Sequence, residues 1–483
     1  MNTRLLKFAA IALLVFCGIV AWEFRNALDG QDDGIAEEIS ATLTQHLVTL
    51  PEPIDGGRYP AAETFVQLLS PDRGVRRAAI NDVTSHWQLG NAAMLLETSR
   101  LLRRGMPNEF VAALENETGQ RFGGNSQAWY DYLWNQPVEE HPQHASFKAA
   151  LYSRIDPRFA EYFDDAYAST IRLDEIMWGG VVRDGIPPLK NPKMLAADKA
   201  TYLSDSDIVF GIAINGDFRA YPKRILAWHE MFKDTIGGTS VNGVYCTLCG
   251  SMIVYETEFE GTHHELGTSG FLYRSNKLMY DHATKSMWST LNGQPVVGPL
   301  VGQGINLKRL HVVTTSWGEW RRRHPATTVL SLDTGHRRDY GEGVAYRDYF
   351  ATDRLMFRVP FHDQRLKNKQ QVLALRFDSE PAEQLAIDTE FLQRNPVYHG
   401  QLGEQRFVVL TDRSGANRVY DPGKNRFVTW NLGNEATGED GGAWQVTEAE
   451  LADGKGNSCP RLPAHRAFWF GWHAAYPETA LVH

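Results

Sequence analysis

The hydrophobic period of the chain changes once, near residue 170, and this change limits the folds that the chain can adopt. Before it, apolar residues recur at three- and four-residue spacing in segments such as 75–87 and 92–102, as in amphipathic helices. After it, short apolar runs alternate with turns that contain glycine or proline, which is typical of antiparallel strands. The sequence therefore predicts an α+β chain, with an N-terminal α-helical bundle over 26–168 and a β-rich domain with short inserted helices over 169–483.

Turn dipeptides predict hairpins in the β-rich part. Asn215-Gly216 separates two apolar runs, and both residue types accept the positive φ angles of a type I′ turn. Asn242-Gly243 and Glu260-Gly261 give the same signal. We therefore expect a hairpin turn at each of these three dipeptides.

The β-rich part also contains an internal repeat. Two Trp-x-x-Trp segments, each followed by a proline and a threonine at the same spacing, begin at Trp317 and Trp469. Upstream, a Tyr-Asp pair followed by a tryptophan occurs twice, as Tyr280-Asp281 with Trp288 and as Tyr420-Asp421 with Trp430. We interpret these repeats as two similar lobes, at about 174–335 and 385–483, each closed by a short aromatic helix whose tryptophans anchor the packing.

The N-terminal segment 1–25 predicts export. Arg4 and Lys7 precede an apolar run over 8–22, and acidic residues follow it, which is the charge order that keeps the N-terminus in the cytoplasm. The run is short for a membrane-spanning helix, which needs about 17–25 residues. An uncleaved signal-anchor is the first interpretation, while a cleaved signal peptide and a buried helix remain alternatives. The first would anchor the protein in the inner membrane, with its body in the periplasm or extracytoplasmic space.

Charge and hydropathy exclude two classes of protein. The net charge is −9, so the chain is not expected to bind nucleic acid through its phosphates. Only one stretch is apolar enough to enter a bilayer, so a polytopic membrane protein is excluded. Within the helical part, residues 70–80 are similar to one unit of a HEAT-type repeat, which would offer a surface for a protein partner.

Cys246 and Cys249 form the sharpest local motif, a CxxC pair followed by Gly250. A thioredoxin-type pair needs a helix directly after its first cysteine, but here a β-branched and aromatic run follows, so we expect a strand–turn–strand tip. Such a turn has the shape of a metal knuckle, which His229 and His282 would complete as ligands of zinc or copper. A redox-active dithiol and a structural disulfide remain open alternatives.

Other motifs with known chemistry are absent from the sequence. It contains no Gly-rich phosphate loop, no G-x-S-x-G elbow and no HExxH motif. The sequence thus predicts no nucleotide cofactor and assigns no catalytic residue, and it leaves open whether the protein is an enzyme.

Several ordered motifs carry a resemblance to a known family. The segments 184–189, 225–230, 234–238, 245–251 and 279–281 resemble the bacterial domain-of-unknown-function family number 3179, over about 174–483 in total. The sequence departs from the family at Thr247, where the pattern usually has proline.

The resemblance implies a common fold and frequent secretion or membrane anchoring, but no agreed reaction. Motif and chemistry coincide at Cys246, Cys249 and His229, and the further candidate cleft residues are Ser269, Arg274 and Asp281. Three functions follow as hypotheses: an extracytoplasmic metal-binding protein, a thiol–disulfide oxidoreductase that uses the same pair, and a non-catalytic binding or scaffold protein.

Overall fold

Helices come first along the chain and strands dominate after them, as the sequence predicts. The computed structural model describes residues 50–483 except 103–104, 138–139 and 378–382. The predicted signal segment 1–25 lies outside these residues. In the part of the chain that the structure describes, no helix has the length and hydropathy needed to cross a membrane.

The N-terminal helices pack into a core that they share with the first sheet of the β-rich part. They are α1 (Ala62–Gln67), α2 (Arg73–Ser85), α3 (Leu89–Ser99), α4 (Asn108–Thr118), α5 (Ser126–Trp134) and α6 (His144–Tyr152). Asp72 caps α2, because its Oδ1 accepts hydrogen bonds from the main-chain N–H groups of Gly74 and Val75. Phe147 of α6 and Phe271 of the sheet are buried in the same apolar cluster.

The first half of the β-rich part forms three larger sheets. Its elements are β1 (Ile176–Trp178), β2 (Leu189–Lys190), β3 (Met194–Ala196), β4 (Ile208–Ile214), β5 (Asp217–Pro222), α7 (Lys223–His229), β6 (Met231–Ile236), β7 (Thr239–Cys246), β8 (Ser251–Glu256), β9 (Glu258–Phe259), β10 (Thr262–His263), β11 (Leu266–Tyr273), β12 (Asn276–Asp281), β13 (Met287–Ser289), β14 (Pro295–Val297), β15 (Arg309–Leu310), β16 (Val312–Ser316), α8 (Trp317–Arg323) and β17 (Thr328–Leu330). The strand orders are β1-β11-β12-β13-β14, β15-β8-β7-β6-β2 and β16-β4-β5-β17-β3, and β9 pairs with β10.

The second half follows a long connection. Its elements are α9 (Arg347–Phe350), β18 (Gln371–Arg376), β19 (Gln384–Asp388), α10 (Thr389–Arg394), β20 (Val397–Leu402), β21 (Gln405–Thr411), β22 (Asn417–Tyr420), β23 (Phe427–Trp430), β24 (Glu435–Gly438), β25 (Ala443–Val446), β26 (Glu450–Ala452), β27 (Ser458–Pro460), β28 (Ala464–Phe468), α11 (Trp469–Ala475) and β29 (Ala480–Val482). The strand orders are β28-β18-β19-β29, β20-β21-β22 and β23-β24-β25-β26-β27.

The two halves contain the same arrangement of strands and helices. The order β16-β4-β5-β17 is repeated as β28-β18-β19-β29, and the last strand of each set runs parallel to its neighbour. The order β8-β7-β6 is repeated as β22-β21-β20. We call β4–β8 with β16 and β17 the first lobe, and β18–β22 with β28 and β29 the second lobe.

The repeated tryptophans anchor equivalent helices. Trp320 Nε1 donates a hydrogen bond to Thr327 Oγ1 at 2.9 Å, and Trp472 Nε1 donates one to Thr479 Oγ1 at the same distance. Both indoles are buried. The predicted role of these tryptophans as packing anchors is confirmed.

The other repeated motif does not mark equivalent positions. Tyr280 lies on β12, whereas Tyr420 ends β22, which is the counterpart of β8. The likeness has a local cause, since Asp281 and Asp421 each accept a hydrogen bond from the main-chain N–H two residues ahead. This part of the repeat prediction is wrong.

Two of the three predicted hairpin turns are confirmed. Asn215-Gly216 and Glu260-Gly261 both have positive φ at each residue and join paired strands. The prediction at Asn242-Gly243 is wrong, because both residues lie inside β7. The glycine there makes room for the ring of Phe232, which would lie 2.1 Å from a Cβ at position 243.

Candidate functional site

The CxxC motif forms the tight turn between β7 and β8, so the predicted strand–turn–strand tip is confirmed. Cys246 ends β7, Ser251 begins β8, and the two residues are paired in the strand register. Cys246 and Cys249 are joined by a disulfide. Gly250 takes a φ of 63°, which favours glycine. Only 2% of Cys246 and 1% of Cys249 is exposed.

A buried carboxylate supports the turn from one side. Glu230 follows α7 in the left-handed region, and its Oε1 accepts hydrogen bonds from the Thr247 hydroxyl at 2.6 Å and the Tyr346 hydroxyl at 2.9 Å. Its other oxygen forms an ion pair with the buried ammonium of Lys277. Because a buried charge is tolerated when it is paired and hydrogen-bonded, this network holds Thr247 and the turn in place.

Two further segments cover the disulfide. The connection between β17 and β18, residues 331–370, contains one short helix, α9, and we call it the cover segment. Its Tyr349 hydroxyl donates a hydrogen bond to Leu248 O at 2.7 Å. From the second lobe, the main-chain N–H of Phe468 donates to Cys249 O at 2.7 Å, and a Cβ at Gly471 of α11 would lie 2.7 Å from the Cβ of Cys249.

The two predicted histidine ligands take part in separate networks. His229 is buried, with Nδ1 at 2.9 Å from Pro187 O and Nε2 at 2.6 Å from the Tyr340 hydroxyl. Burial lowers the pKa of His229 to about 4. His282 has Nδ1 at 3.3 Å from the Tyr280 hydroxyl and Nε2 at 3.4 Å from Lys233 Nζ.

This arrangement does not fit a resident zinc or copper ion. A cysteine binds such ions as a thiolate, and both sulfur atoms of the predicted site are committed to the disulfide. Among the described residues, no group of three or more His, Cys, Asp or Glu side chains is arranged to hold a metal. Metal binding by Cys246, Cys249, His229 and His282 therefore stays a prediction that the geometry of the disulfide form does not support.

The remaining predicted cleft residues organise strands and turns. Ser269 is buried and donates to Leu278 O at 2.6 Å, beside an irregularity in the pairing of β11 with β12. Asp281 accepts a hydrogen bond from the main-chain N–H of Thr284 at 2.7 Å in the turn after β12. Arg274, at the tip of the β11–β12 hairpin, forms an ion pair with Glu175 and donates to Ala474 O at 3.1 Å.

Sequence reasoning missed several residues that hold the disulfide turn. Glu230, Lys277, Tyr346 and Tyr349 were not predicted to lie near the cysteines. Lys277 carried one signal, since it is a charged residue directly before the apolar run 278–280 of β12. The two tyrosines carried none, because contacts of a long irregular segment leave no periodic pattern in a sequence.

The second lobe contains an equivalent turn. The hairpins β6–β7 and β20–β21 have the same register at their bases, where Ile236 pairs with Thr239 and Leu402 pairs with Gln405. Thr239 begins β7 and Gln405 begins β21. The seventh residue after Thr239 is Cys246, and the seventh after Gln405 is Asp412, so these two residues are equivalent. Each turn then contains a glycine with positive φ, Gly250 in the first lobe and Gly415 in the second. Cys249 and Ser414 directly precede these glycines, so Ser414 takes the place of Cys249.

Hydrogen bonds close this second turn where the first has a covalent bond. Asp412 Oδ1 accepts from the main-chain N–H of Ser414 at 2.9 Å, from its hydroxyl at 2.6 Å, and from the N–H of Ala416 at 3.0 Å. Asp412 Oδ2 accepts from Arg418 at 2.8 Å. The two lobes thus make the same turn with different chemistry.

Comparison with known proteins gives one match. A model of the family described as "Protein of unknown function (DUF3179)" matches residues 183–479. No curated protein and no solved structure matches the chain.

Proposed function

The chain belongs to the DUF3179 family of proteins of unknown function, and from that premise we propose that its Cys246–Cys249 pair is a redox-active disulfide that exchanges with a thiol partner. Family membership assigns no reaction, so the proposal depends on the site. The observation that carries it is the equivalent turn of the second lobe, which closes without a covalent bond.

A structural role gives only a weak reason for this disulfide. The bond closes a loop of four residues, since its partners are three positions apart in sequence. In the chain-entropy model, cross-linking such a short loop stabilises the folded protein by about 2 kcal/mol, whereas cross-linking a loop of about 100 residues stabilises it by about 4.7 kcal/mol. Because hydrogen bonds already suffice for the same turn in the second lobe, the property that the disulfide adds is its redox chemistry.

The exchange requires a partner with two thiols. A thiolate of the partner attacks one sulfur of the pair, the Cys246–Cys249 bond breaks, and a mixed disulfide forms while the other cysteine leaves as a thiolate. The second thiolate of the partner then attacks the mixed disulfide and releases the second cysteine. Two electrons and two protons pass to Cys246 and Cys249, and the partner is oxidised to a disulfide.

Access to the sulfurs requires the cover segment to move. Loops longer than about 12–15 residues with little regular structure are uncommon in compact domains and often serve as active-site lids. The segment 331–370 meets that description. Two hydroxyl groups hold it over the turn, that of Tyr349 on Leu248 O and that of Tyr346 on Glu230.

The proposed setting is an extracytoplasmic space. The charge order around the apolar run 8–22 supports export with residues 1–25 as signal-anchor or signal peptide. Disulfides persist in oxidising compartments and are rare in the cytosol, which agrees with that location.

The proposal is tested by redox titration of the full chain in glutathione buffers, followed by alkylation and mass spectrometry. We expect Cys246 and Cys249 to change state together as a two-electron couple while the protein stays folded. Cys459 is buried and free, so it should resist alkylation until denaturant is added, and a Cys459→Ser variant should titrate as the parent does. A pair that stays oxidised in excess dithiothreitol until the protein unfolds would identify a structural disulfide and end the proposal.

The cover segment provides a second test. Tyr349→Phe removes the hydrogen bond to Leu248 O, which is worth about 1 kcal/mol, so the pair should be reduced about five-fold faster. Tyr398→Phe, on β20 of the second lobe, is the matched control and should leave the rate unchanged. Equal rates for both variants would show that the cover segment does not control access.

A further inference from the structure

A cavity of about 500 Å³ lies beside the β11–β12 hairpin, and Lys277 is among the residues that line it. Residues from β12, from the β13–β14 region, from the 300–305 segment and from the end of α11 line it. Its volume falls within the range of about 300–1,000 Å³ that is usual for small-molecule sites. The redox proposal assigns no role to this cavity.

The charged groups on its wall are cations. Arg274 and Lys277 line the cavity, and no aspartate or glutamate is among the described residues that line it. Glu175 and Glu230 pair with the two cations but do not line the cavity, so they hold the cations in place at its wall. Lys277 Nζ is enclosed by protein, so it contributes positive charge beside the cavity and no direct contact. The Arg274 guanidinium uses three of its five N–H donors on Glu175 and Ala474 O, so it retains two for a ligand.

A buried acceptor in the same wall lacks a partner. Asn276 is 6% exposed, and its Nδ2 donates to Gly471 O at 2.9 Å and to Arg274 O at 3.2 Å. Its Oδ1 accepts no hydrogen bond from any described residue. Because this oxygen is enclosed by protein, Asn276 fixes the shape of the wall through its two donated hydrogen bonds and offers no acceptor to a ligand in the cavity.

Apolar residues form much of the rest of the wall, beside the polar side chains of Thr170, Ser289, Asn292 and Gln294. Leu278, Leu291, Val296 and Leu300 are buried and face the same space as the half-buried Ile305 and the ring of Tyr476. A ligand that fits this wall has an apolar body of a few rings or a short chain.

The hairpin tip that presents the cations is strained. Arg274 and Ser275 have φ angles of 50° and 62°, so two residues other than glycine occupy the left-handed region in one turn. This conformation costs about 1–2 kcal/mol per residue, and such strain tends to persist at functional sites because the surrounding structure holds it. Here the contacts of Arg274 with Glu175 and with Ala474 O supply that support.

We propose that this cavity binds a small organic anion with an apolar body. The anionic group lies against the Arg274 guanidinium, the charge of the enclosed Lys277 ammonium adds to its attraction, and the apolar body fills the space between Leu291 and Ile305. The inference is independent of the redox proposal, because no step of it uses the two cysteines.

The probe for the test is 1-anilinonaphthalene-8-sulfonate, which has an apolar body, a sulfonate and one N–H group. We expect saturable one-to-one binding to the full chain, measured by fluorescence. The uncharged analogue N-phenyl-1-naphthylamine should bind about ten-fold more weakly. No saturable binding of the sulfonate, or equal affinity for both probes, would overturn the proposal.

Two variants separate the apolar and charged parts of the site. Ile305→Trp fills the cavity from a half-buried loop position and should weaken binding of both probes about ten-fold or more. Arg274→Gln should weaken binding of the sulfonate and spare the uncharged probe. Val428→Trp adds the same indole at an exposed site and should leave the affinity for both probes unchanged. Unchanged affinity in Ile305→Trp would place the probe elsewhere and refute the site.

The same assay distinguishes this inference from the redox proposal. A Cys246→Ser, Cys249→Ser protein should bind the sulfonate with the affinity of the parent, because neither cysteine lines the cavity. Loss of binding in that variant would contradict the independence of the two sites.

Discussion

The turn at Cys246 and its counterpart at Asp412 occupy equivalent positions in two lobes of the same topology, yet different chemistry closes them. In the second lobe, the carboxylate that closes the turn also pairs with Arg418, whose side chain is fully buried. In the first lobe, the residue equivalent to Arg418 is Ile253, which is apolar and buried. The neutral disulfide therefore lies where the lobe has no cation to pair with an aspartate.

The difference affects the energetic cost of a chemical change in each turn. Arg418 also pairs with Glu448, and although burial alone would raise the pKa of Glu448, the guanidinium of Arg418 lowers it well below its usual range. Any change at Asp412 would thus disturb a buried network of charges. Reduction of the disulfide produces two neutral thiols and leaves no buried charge without a partner. This contrast supports the redox role proposed for the first turn, whereas charge pairing holds the second turn in one state.

The largest predicted effect is that of Asp412→Asn. The amide can still accept the hydrogen bonds from Ser414, but Arg418 loses one of its two carboxylate partners in a fully buried site. Removal of one partner of a buried ion pair costs about 3–5 kcal/mol, so the free energy of unfolding should fall by that amount in urea titrations.

The control for this prediction is Asp440→Asn, at an exposed turn of the same half of the chain. It should change the free energy of unfolding by less than about 0.5 kcal/mol. A loss in Asp412→Asn no greater than that of the control would mean that the carboxylate is not needed to balance Arg418.

A smaller effect is predicted at the equivalent turn. Replacement of both cysteines by serine removes the cross-link of a four-residue loop, so the free energy of unfolding should fall by about 2 kcal/mol. Reduction of the parent protein should give a similar decrease, measured by urea titration with and without dithiothreitol. A loss as large as that of Asp412→Asn would show that the disulfide is needed for stability, and the contrast between the turns would fail.

Local turn and repeat chemistry was predictable from the sequence. Asn215-Gly216 was recognised because its residue types fit a type I′ turn, and the repeated tryptophan–threonine spacing was recognised because each pair is local in sequence. The same rule failed at Gly243, where glycine serves the close approach of Phe232 from the neighbouring strand. The dipeptide alone does not distinguish these two uses of glycine.

Relations between distant residues were not predictable. Lys277 forms an ion pair with Glu230, which lies 47 residues earlier in the sequence. This pairing depends on how β12 packs beside the end of α7. The equivalence of Cys246 with Asp412 depends on strand register, and the two residue types share no chemistry that a sequence comparison would detect. The fold class followed from periodicity, whereas the surroundings of the disulfide required tertiary structure.

The smallest predicted effect is on the pH dependence of the free energy of unfolding, and it compares His229 with Asn395. The two positions are equivalent, because His229 lies two residues before β6 and Asn395 lies two residues before β20. The pKa of His229 is lowered from its ordinary 6.5 to about 4, mainly by burial; the hydrogen bond with Pro187 O opposes this shift, and nearby His336 and Arg338 add to it. Between these values the unfolded chain binds a proton at this position and the folded chain does not. The free energy of unfolding therefore falls as the pH decreases through this window.

In His229→Asn this contribution disappears, so the stability of the variant should fall less steeply than that of the parent, by about 1 kcal/mol between pH 7 and 5.5. Urea titrations at these two pH values measure the difference, and other buried histidines such as His141 cancel from it. The reciprocal Asn395→His variant should add little pH dependence, because that position is only half-buried. Parallel pH profiles for the parent and His229→Asn would mean that the imidazole is as easily protonated in the folded protein as in the unfolded chain, which the complete burial of His229 argues against.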